Sequence, residues 1–106
     1  MTKALFNYLD DNFVSFEISG HSDFAEYGED IVCSAITTAT FYTIGLFNKF
    51  FSNLFTYIEK DGYIKLETNE EINQELVKPI IENFIEVLDN IQKQYPKNLK
   101  INIAKK

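Results

Sequence analysis

The chain contains one cysteine and one histidine, Cys33 and His21, which lie twelve residues apart. A thiol is an effective nucleophile only as the thiolate, and a free cysteine with a pKa of about 8.5 is ionised to only a few per cent near pH 7. An imidazole beside the thiol favours the thiolate and can return a proton to a leaving group. The pair therefore indicates acyl-transfer chemistry, with Cys33 as the nucleophile and His21 as the acid and base.

The residues before Cys33 suggest a second way to favour the thiolate. Asp30 is a residue type that caps helix N-termini, and a cap there would place Cys33 at the third helical position. Within the first turn, backbone N–H groups and the helix dipole favour negative charge. We therefore expect the nucleophile at the start of a helix and His21 on the polar loop before it, residues 20–29. The N–H groups of Cys33 or Ser34 are then candidates for binding an oxyanion.

Each of these residues also has a structural interpretation. A lone cysteine beside Ile31 and Val32 is commonly a small core residue, and a lone histidine on a polar loop is commonly a surface residue. One Cys and one His provide two strong metal ligands, so a metal site would need carboxylates as well. No Cys-x-x-Cys pair is present to support dithiol redox chemistry. We expect neither a metal nor a cofactor.

The composition describes one small acidic domain that covers residues 1–106. The apolar share of 45% is enough for a single core, and the net charge is −6. This charge argues against direct binding of nucleic acid, which needs clustered Lys and Arg, and it fits a basic protein or peptide partner. A single cysteine fits the reducing cytoplasm. The apolar stretch 31–55 is interrupted by polar residues and no signal-peptide pattern is present, so we expect no membrane contact.

Alternating and turn-rich stretches predict two β-hairpins and a last strand. The predicted strands cover residues 3–9, 13–19, 54–59, 63–68 and 99–103, with turns at 10–12 and 60–62. In the second strand Val14, Phe16 and Ile18 should face the core. Phe13, Ser15 and Glu17 should then face solvent.

Two helices are predicted between and after these hairpins. The first runs from the Asp30 cap to about Phe51, and the second covers residues 70–95, where Pro79 should kink or split it. Residues of one apolar stripe should pack the second helix: Ile72, Leu76, Ile80, Phe84, Leu88 and Ile91. The order ββαββαβ predicts an α+β domain in which two packed helices cover a largely antiparallel sheet.

The stretch 20–37 reads GHSDFAEYGEDIVCSAIT. It resembles the signature of the bacterial ribosomal-processing cysteine protease family, Prp. That signature is Gly-His, a small residue, a spacer ending in Gly, and then Asp-Ile-Val-Cys with two small residues. The resemblance places the family's catalytic histidine on His21 and its nucleophile on Cys33, and Gly20, Gly28 and Asp30 also match. Chain length and the order of elements agree with the family as well.

Two positions depart from the family pattern without removing a catalytic atom. Thr37 stands where Ser is frequent and keeps the hydroxyl, whereas Ala35 stands where Gly is frequent and would tighten the space beside the thiol. The resemblance implies a protease that removes the N-terminal extension of a large-subunit ribosomal protein, cleaving after an aromatic residue. Phe24 and Tyr27 would then contact that aromatic side chain, on a loop that closes over the bound peptide.

Three points are left open by the sequence. The group that orients His21 is not identified, and Asp23, Glu29 and Asp30 are candidates. The resemblance implies a homodimer, which the wide apolar arc of the first helix also favours. The competing hypothesis is a binding module without enzymatic activity, in which an acidic protein holds a basic ribosomal protein.

Overall fold

The computed structural model describes residues 1–20 and 27–106, with the backbone alone for residues 27–30. Within these residues the chain forms five strands and two helices in the order ββαββαβ, which confirms the predicted α+β class. The elements are β1 (Thr2–Leu9), β2 (Asn12–Ser19), α1 (Tyr27–Phe50), β3 (Phe55–Lys60), β4 (Tyr63–Thr68), α2 (Gln74–Gln94) and β5 (Leu99–Lys105).

The strands form one sheet in the order β3-β4-β2-β1-β5. Neighbouring strands are antiparallel except β1 and β5, which pair in parallel, so the prediction of a largely antiparallel sheet is confirmed. Both hairpins close through two-residue turns. Asp10 and Asp11 have φ of 50° and 65°, and Gly62 has φ of 72°, as expected where a tight turn must follow the twist of its strands.

A β-bulge changes the faces of β2. Tyr8 pairs with Phe13 and Asn7 pairs with Ser15, so Val14 has no partner of its own on β1. Phe13 therefore turns into the core, where it is 1% exposed and its ring packs edge-on against Tyr8 at 5.8 Å. The prediction that Phe13 faces solvent is wrong, because simple alternation assumes a strand without a bulge. Ser15 is buried as well, and it accepts a hydrogen bond from Asn7 at 3.0 Å.

Helix α1 begins at Tyr27, three residues before the predicted cap at Asp30. Asp30 is therefore a helical residue, and the capping role expected for it is wrong. The side of α1 that packs into the core is buried and includes Val32, Ile36, Thr40, Thr43, Ile44 and Phe47. The hydroxyls of Thr40 and Thr43 donate to carbonyl groups one turn earlier, at 2.7 and 2.9 Å, so these polar side chains are satisfied inside the core.

The segment Ile31–Phe50 of α1 is long and apolar enough to cross a membrane by length and composition, with a mean hydropathy of 1.4 and 33% of it buried in the fold. A single helix of this kind is weak evidence for a membrane span, because the core helix of a folded domain passes the same test. The absence of membrane contact stays a prediction.

Helix α2 is one continuous element from Gln74 to Gln94, so Pro79 does not split it. Its N-cap is Asn73, whose side chain accepts a hydrogen bond from the N–H of Glu75 at 2.9 Å. The buried stripe consists of Val77, Ile81, Phe84 and Leu88. Leu76, which was predicted to pack inward, is 55% exposed. Ile72, Phe84 and Leu88 are buried as predicted, although Ile72 precedes α2. Between them the buried positions are Val77 and Ile81, each one residue after the predicted Leu76 and Ile80.

Candidate active site

Cys33 is half-buried on one side of a cleft of about 620 Å³. We call this space the Cys33 cleft. It lies between α1, the end of β2, and the hairpin of β3 and β4. Its lining residues are Thr2, Ile18, Gly20, Cys33, Ile36, Thr37, Phe41 and residues 59–64. A thiol that borders an open cleft of this size can meet a bound peptide. The position therefore argues against Cys33 being only a core residue.

One side of α1 places the thiol in this cleft. Cys33, Thr37 and Phe41 follow one another at intervals of four residues, and residues so spaced lie on the same helix face. The adjacent face, with Val32 and Ile36, is buried against the sheet and holds the helix in place. Core packing fixes the rotation of α1 about its own axis. Cys33, Thr37 and Phe41 therefore face the gap between α1 and the hairpin of β3 and β4. Thr37 consequently lies one helical turn from Cys33 on the same side of the cleft.

The position of Cys33 along α1 differs from the expected one. Since α1 begins at Tyr27, Cys33 is its seventh residue rather than its third. The influence of the helix dipole falls off within the first turn, so it contributes less to a thiolate at Cys33 than the sequence suggested. The N–H of a seventh helical residue is already paired with the carbonyl four residues earlier. The N–H groups of Cys33 and Ser34 are therefore not free to bind an oxyanion, which corrects that expectation.

Gly20, at the end of β2, is held tightly beside the same cleft. Its N–H donates to the carbonyl of Gly62 at 2.9 Å, and its own carbonyl accepts a hydrogen bond from the Thr2 hydroxyl at 3.2 Å. Its φ is +92°, and a Cβ at this position would lie 2.5 Å from the carbonyl oxygen of Met1. Only glycine fits here. The residue that precedes His21 in the sequence is thereby fixed on the border of the Cys33 cleft.

The outer border of the cleft carries charge. Glu59, Lys60 and Asp61 lie where β3 meets its turn, and they place two carboxylates and one ammonium group at this end. Tyr63 directly follows this turn, and its hydroxyl donates a hydrogen bond to the Glu17 carboxylate at 2.7 Å. This hydrogen bond, together with smaller effects of desolvation and the Glu17 charge, raises the pKa of Tyr63. Tyr63 therefore remains protonated at neutral pH and is not a proton acceptor there.

Several residues predicted for the site lie outside the described part of the chain. His21 and Phe24 fall in residues 21–26, as does Asp23, one candidate for orienting His21, and the closing loop predicted over 20–29 falls largely there. The side chains of Tyr27, Glu29 and Asp30 are also outside it, although the backbone of these residues and of Gly28 forms the first turn of α1. The assignments of these residues stay predictions.

Ser34 and Ala35 lie on a different side of α1 from the thiol. They line a groove of about 790 Å³ between α1 and α2, together with Tyr42, Val87 and others. Neither residue borders the Cys33 cleft. Ala35 therefore does not narrow the space on the cleft side of the thiol, contrary to expectation.

The cleft also contains residues that sequence reasoning missed, above all Thr2 and Gly62. The Asp61-Gly62 turn was visible as a hairpin signal, but its place beside Gly20 depends on the pairing of β2 with β4, where Ser19 faces Tyr63. No sequence signal pointed to Thr2. Among the residues with described side chains, no group of three His, Cys, Asp or Glu side chains is arranged to hold a metal ion.

Over most of its length the chain is similar to known cysteine proteases. The family model for cysteine protease Prp matches residues 1–100. The ribosomal processing cysteine protease Prp of Bacillus subtilis is 32% identical over 97 residues, which cover 87% of each chain. The protein of the same name from Staphylococcus aureus is 25% identical over 87 residues, covering 80% of this chain and 81% of that one.

Solved structures show the same fold. A crystal structure of a Streptococcus mutans protein matches with a TM-score of 0.81 at 25% identity, covering 100% of this chain and 96% of that one. The S. aureus Prp protease in complex with a substrate peptide matches with a TM-score of 0.87 at 20% identity, covering 98% of this chain and 100% of that one.

Proposed function

Since the chain belongs to the Prp family of cysteine proteases, we propose that it removes the N-terminal extension of a large-subunit ribosomal protein, with Cys33 as nucleophile and His21 as acid and base. The curated relatives are named ribosomal processing cysteine proteases. The observation that carries the residue assignment is that Cys33 and Gly20, the residue before His21, border one open cleft.

The proposed reaction proceeds through an acyl-enzyme. His21 takes the thiol proton, and the Cys33 Sγ attacks the scissile carbonyl carbon to form a tetrahedral oxyanion. The oxyanion collapses, the C–N bond breaks, and the imidazolium returns its proton to the leaving amine. A water molecule, deprotonated by His21, then attacks the thioester and releases the new carboxylate, while Sγ regains its proton.

Thr37 is the described side chain best placed to assist Cys33. It is exposed, it lies one helical turn beyond Cys33, and it borders the same cleft. Because the N–H groups of Cys33 and Ser34 are committed to the helix, a hydroxyl donor here would stabilise the oxyanion. Gly20 and Gly28 have backbone roles in this proposal, and Phe24 and Tyr27 contact the aromatic side chain before the cleaved bond. Asp30 is a candidate to orient His21.

The charge of the protein fits such a substrate. Ribosomal proteins are generally basic, whereas this chain has a net charge of −6 and carries Glu59 and Asp61 at one end of the Cys33 cleft. Opposite charges of this kind increase the rate of encounter and help to align the bound segment. The proposal places the protein in the cytoplasm, where ribosomes are assembled, without a cofactor and without direct contact to nucleic acid. The hypothesis of a non-enzymatic binding module gives way to the protease family assignment.

A homodimer is also part of the proposal. The groove between α1 and α2 presents Ile31, Tyr42 and Val87, which are 45%, 72% and 39% exposed. These apolar side chains belong to the part of α1 and α2 that the single chain does not cover. A second copy that packs on the groove through a two-fold axis would bury them.

The proposed function is tested by incubating the pure protein with the extended ribosomal protein of the same cell. Mass spectrometry should reveal one new N-terminus, generated after an aromatic residue. Cys33→Ala is the control, because it removes Sγ from a half-buried position and leaves the fold in place. An uncleaved ribosomal protein, or cleavage by Cys33→Ala at the rate of the unaltered enzyme, would refute the proposal.

A further inference from the structure

The sheet has two edges, and they differ in how the rest of the chain covers them. β5 forms one edge, and there the outward N–H of Ile101 donates to the side chain of Gln92 on α2 at 2.8 Å. β3 forms the other edge. Within residues 1–20 and 27–106, no group forms a hydrogen bond with the backbone on the outer side of β3. An open edge of this kind is a template for pairing with another extended chain.

The register of the hairpin of β3 and β4 determines which backbone groups β3 directs outward. Lys60 immediately precedes the two-residue turn, so its backbone bonds to β4 across that turn. Leu54, just before β3, accepts a hydrogen bond from the N–H of Asn69 at 2.7 Å and is in the same phase. In an antiparallel pair, residues that bond to the partner strand alternate with residues whose N–H and C=O groups point away from it. Tyr57 and Glu59 therefore direct these groups to the open side.

The side chains of β3 indicate which chemistry suits this edge. Tyr57 and Ile58 are 43% and 51% exposed, and they lie on opposite faces because side chains alternate along a strand. Glu59 is also exposed, lies on the same face as Tyr57 and borders the Cys33 cleft. A segment paired with β3 would therefore meet apolar surface on both faces and a carboxylate at the end of the strand that borders the cleft. Such an edge suits an extended segment that carries apolar and basic residues.

We infer that the outer edge of β3 is the docking strand for the substrate. An extended segment of the ribosomal protein, adjacent to the cleaved bond, pairs with the backbone of Tyr57 and Glu59 as a sixth strand. Main-chain pairing of this kind holds a peptide extended and leaves selectivity to alternate side chains. This inference rests on the proposed function, in which Cys33 cleaves that ribosomal protein.

Position and charge favour the substrate over a second copy of the chain as the occupant. The last residues of β3, Glu59 and Lys60, border the Cys33 cleft, so a segment on β3 continues into that cleft. The strand from Phe55 to Glu59 spans about 14 Å, which accommodates about four or five residues of an extended peptide. The net charge of −6 attracts a basic segment, whereas a second copy carries the same negative charge.

Amide hydrogen exchange followed by NMR tests this docking directly. The sample is the Cys33→Ala protein, and the probe is a synthetic peptide with the N-terminal extension of the ribosomal protein and the residues that follow it. In the free protein the amides of Tyr57 and Glu59 should exchange faster than that of Ile58, which bonds to β4. Saturating peptide should slow both by about 10-fold or more, because bonded amides exchange only when the structure opens. The amide of Ile103, directed outward on β5, is the internal control and should not change.

A proline at an outward position separates the backbone contact from side-chain contacts. Tyr57→Pro removes the outward N–H without removing a donor to β4, and proline is tolerated at such edge positions. Tyr57→Thr is the reference, because it removes the ring and keeps the N–H. In the Cys33→Ala background, Tyr57→Pro should bind the peptide about 3-fold to 10-fold more weakly than Tyr57→Thr, as expected for the loss of a hydrogen bond. Ile103→Pro makes the same change on the other edge and should leave the affinity unaltered.

Methylated peptides give the same test with an unaltered β3, whether or not Tyr57→Pro folds. Each peptide carries a methyl group on one backbone nitrogen and so lacks one N–H donor. Pairing with β3 predicts a lower affinity at every second residue of the docked segment, because alternate amides face the strand. A groove that contacts side chains alone predicts no such period.

The results distinguish the inference from the proposed function. The inference is refuted if saturating peptide leaves the amides of Tyr57 and Glu59 fast, if a folded Tyr57→Pro binds as well as Tyr57→Thr, or if methylation shows no two-residue period. It is also refuted if these amides are slow in the concentrated free protein and become fast on dilution, since a second copy then occupies β3. If the unaltered protein cleaves the ribosomal protein in any of these cases, the proposed function stands. If it does not cleave but the peptide slows both amides, the docking of this segment stands and the proposed cleavage fails.

Discussion

Replacing Gly20 by alanine should damage both the stability and the activity of this protein. The new Cβ would lie 2.5 Å from the Met1 carbonyl oxygen, and the backbone φ of +92° is one that residues with a side chain rarely adopt. The unfavourable backbone conformation costs about 1–2 kcal/mol. The clash is with the carbonyl of Met1, just before β1, and the peptide unit of that carbonyl is held by the hydrogen bond from the Thr2 N–H to Asn98. We therefore expect a loss of about 2–4 kcal/mol in total.

This loss is large compared with the stability of a small domain, which is about 5–15 kcal/mol. Thermal unfolding followed by circular dichroism should show a Tm lower by roughly 8–30 °C. If the end of β2 shifts to relieve the clash, the loss of stability is smaller, but position 20, which precedes His21, moves. Cleavage should then fall by about 100-fold, because the geometry of the two reacting groups is lost.

Gly45→Ala is the matched control for this substitution. Gly45 lies inside α1, and a Cβ there would meet nothing within 4 Å beyond its chain neighbours and the backbone of its own helix. Alanine is the better helix former, so this variant should gain about 0.5–1 kcal/mol and cleave at the usual rate. A Gly20→Ala protein with both the Tm and the cleavage rate of the unaltered chain would show that Met1, Thr2 and Gly62 do not hold Gly20 in place.

Three other predictions concern the acid and base, the dimer and α2. His21→Ala should slow cleavage by about 10²–10⁴-fold at unchanged circular dichroism, and a rate within a few-fold of normal would exclude His21 as the base. Light scattering at micromolar concentration should give a dimer mass for the unaltered chain. Tyr42→Glu should give a monomer mass, because it puts a charge at a position where the native side chain is 72% exposed in the single chain. A monomer mass for the unaltered chain would count against the dimer. Asn73→Ala should lower the stability by about 1 kcal/mol, seen as a lower Tm, because the hydrogen bond to the Glu75 N–H is lost. Cleavage should be unaffected, since Asn73 lies away from the Cys33 cleft.

Local features of the sequence were sufficient to predict the elements and their order. The two hairpins are set by short turns, and Asp61-Gly62 lies where the second turn was expected. The alternation of Leu99, Ile101 and Ile103 correctly predicted β5. The single thiol and the residues around it were also sufficient to indicate a protease family. Each of these signals depends on neighbours within a few residues, which is why one sequence can reveal them.

Other features depend on contacts between distant residues, and only the tertiary structure decided them. The bulge at Val14 arises from the register between β1 and β2, and it turned Phe13 into the core. The start of α1 at Tyr27 placed Cys33 in the second turn rather than the first.

The surroundings of the thiol are the clearest case. Thr2 reaches Gly20 over 18 residues, and Gly20 reaches Gly62 only because β2 pairs with β4. Such contacts follow from strand order and register, which minimise exposed apolar surface over the whole chain rather than within one segment. The sequence by itself thus predicted Cys33 as the nucleophile, whereas the packed sheet decided which residues surround that thiol.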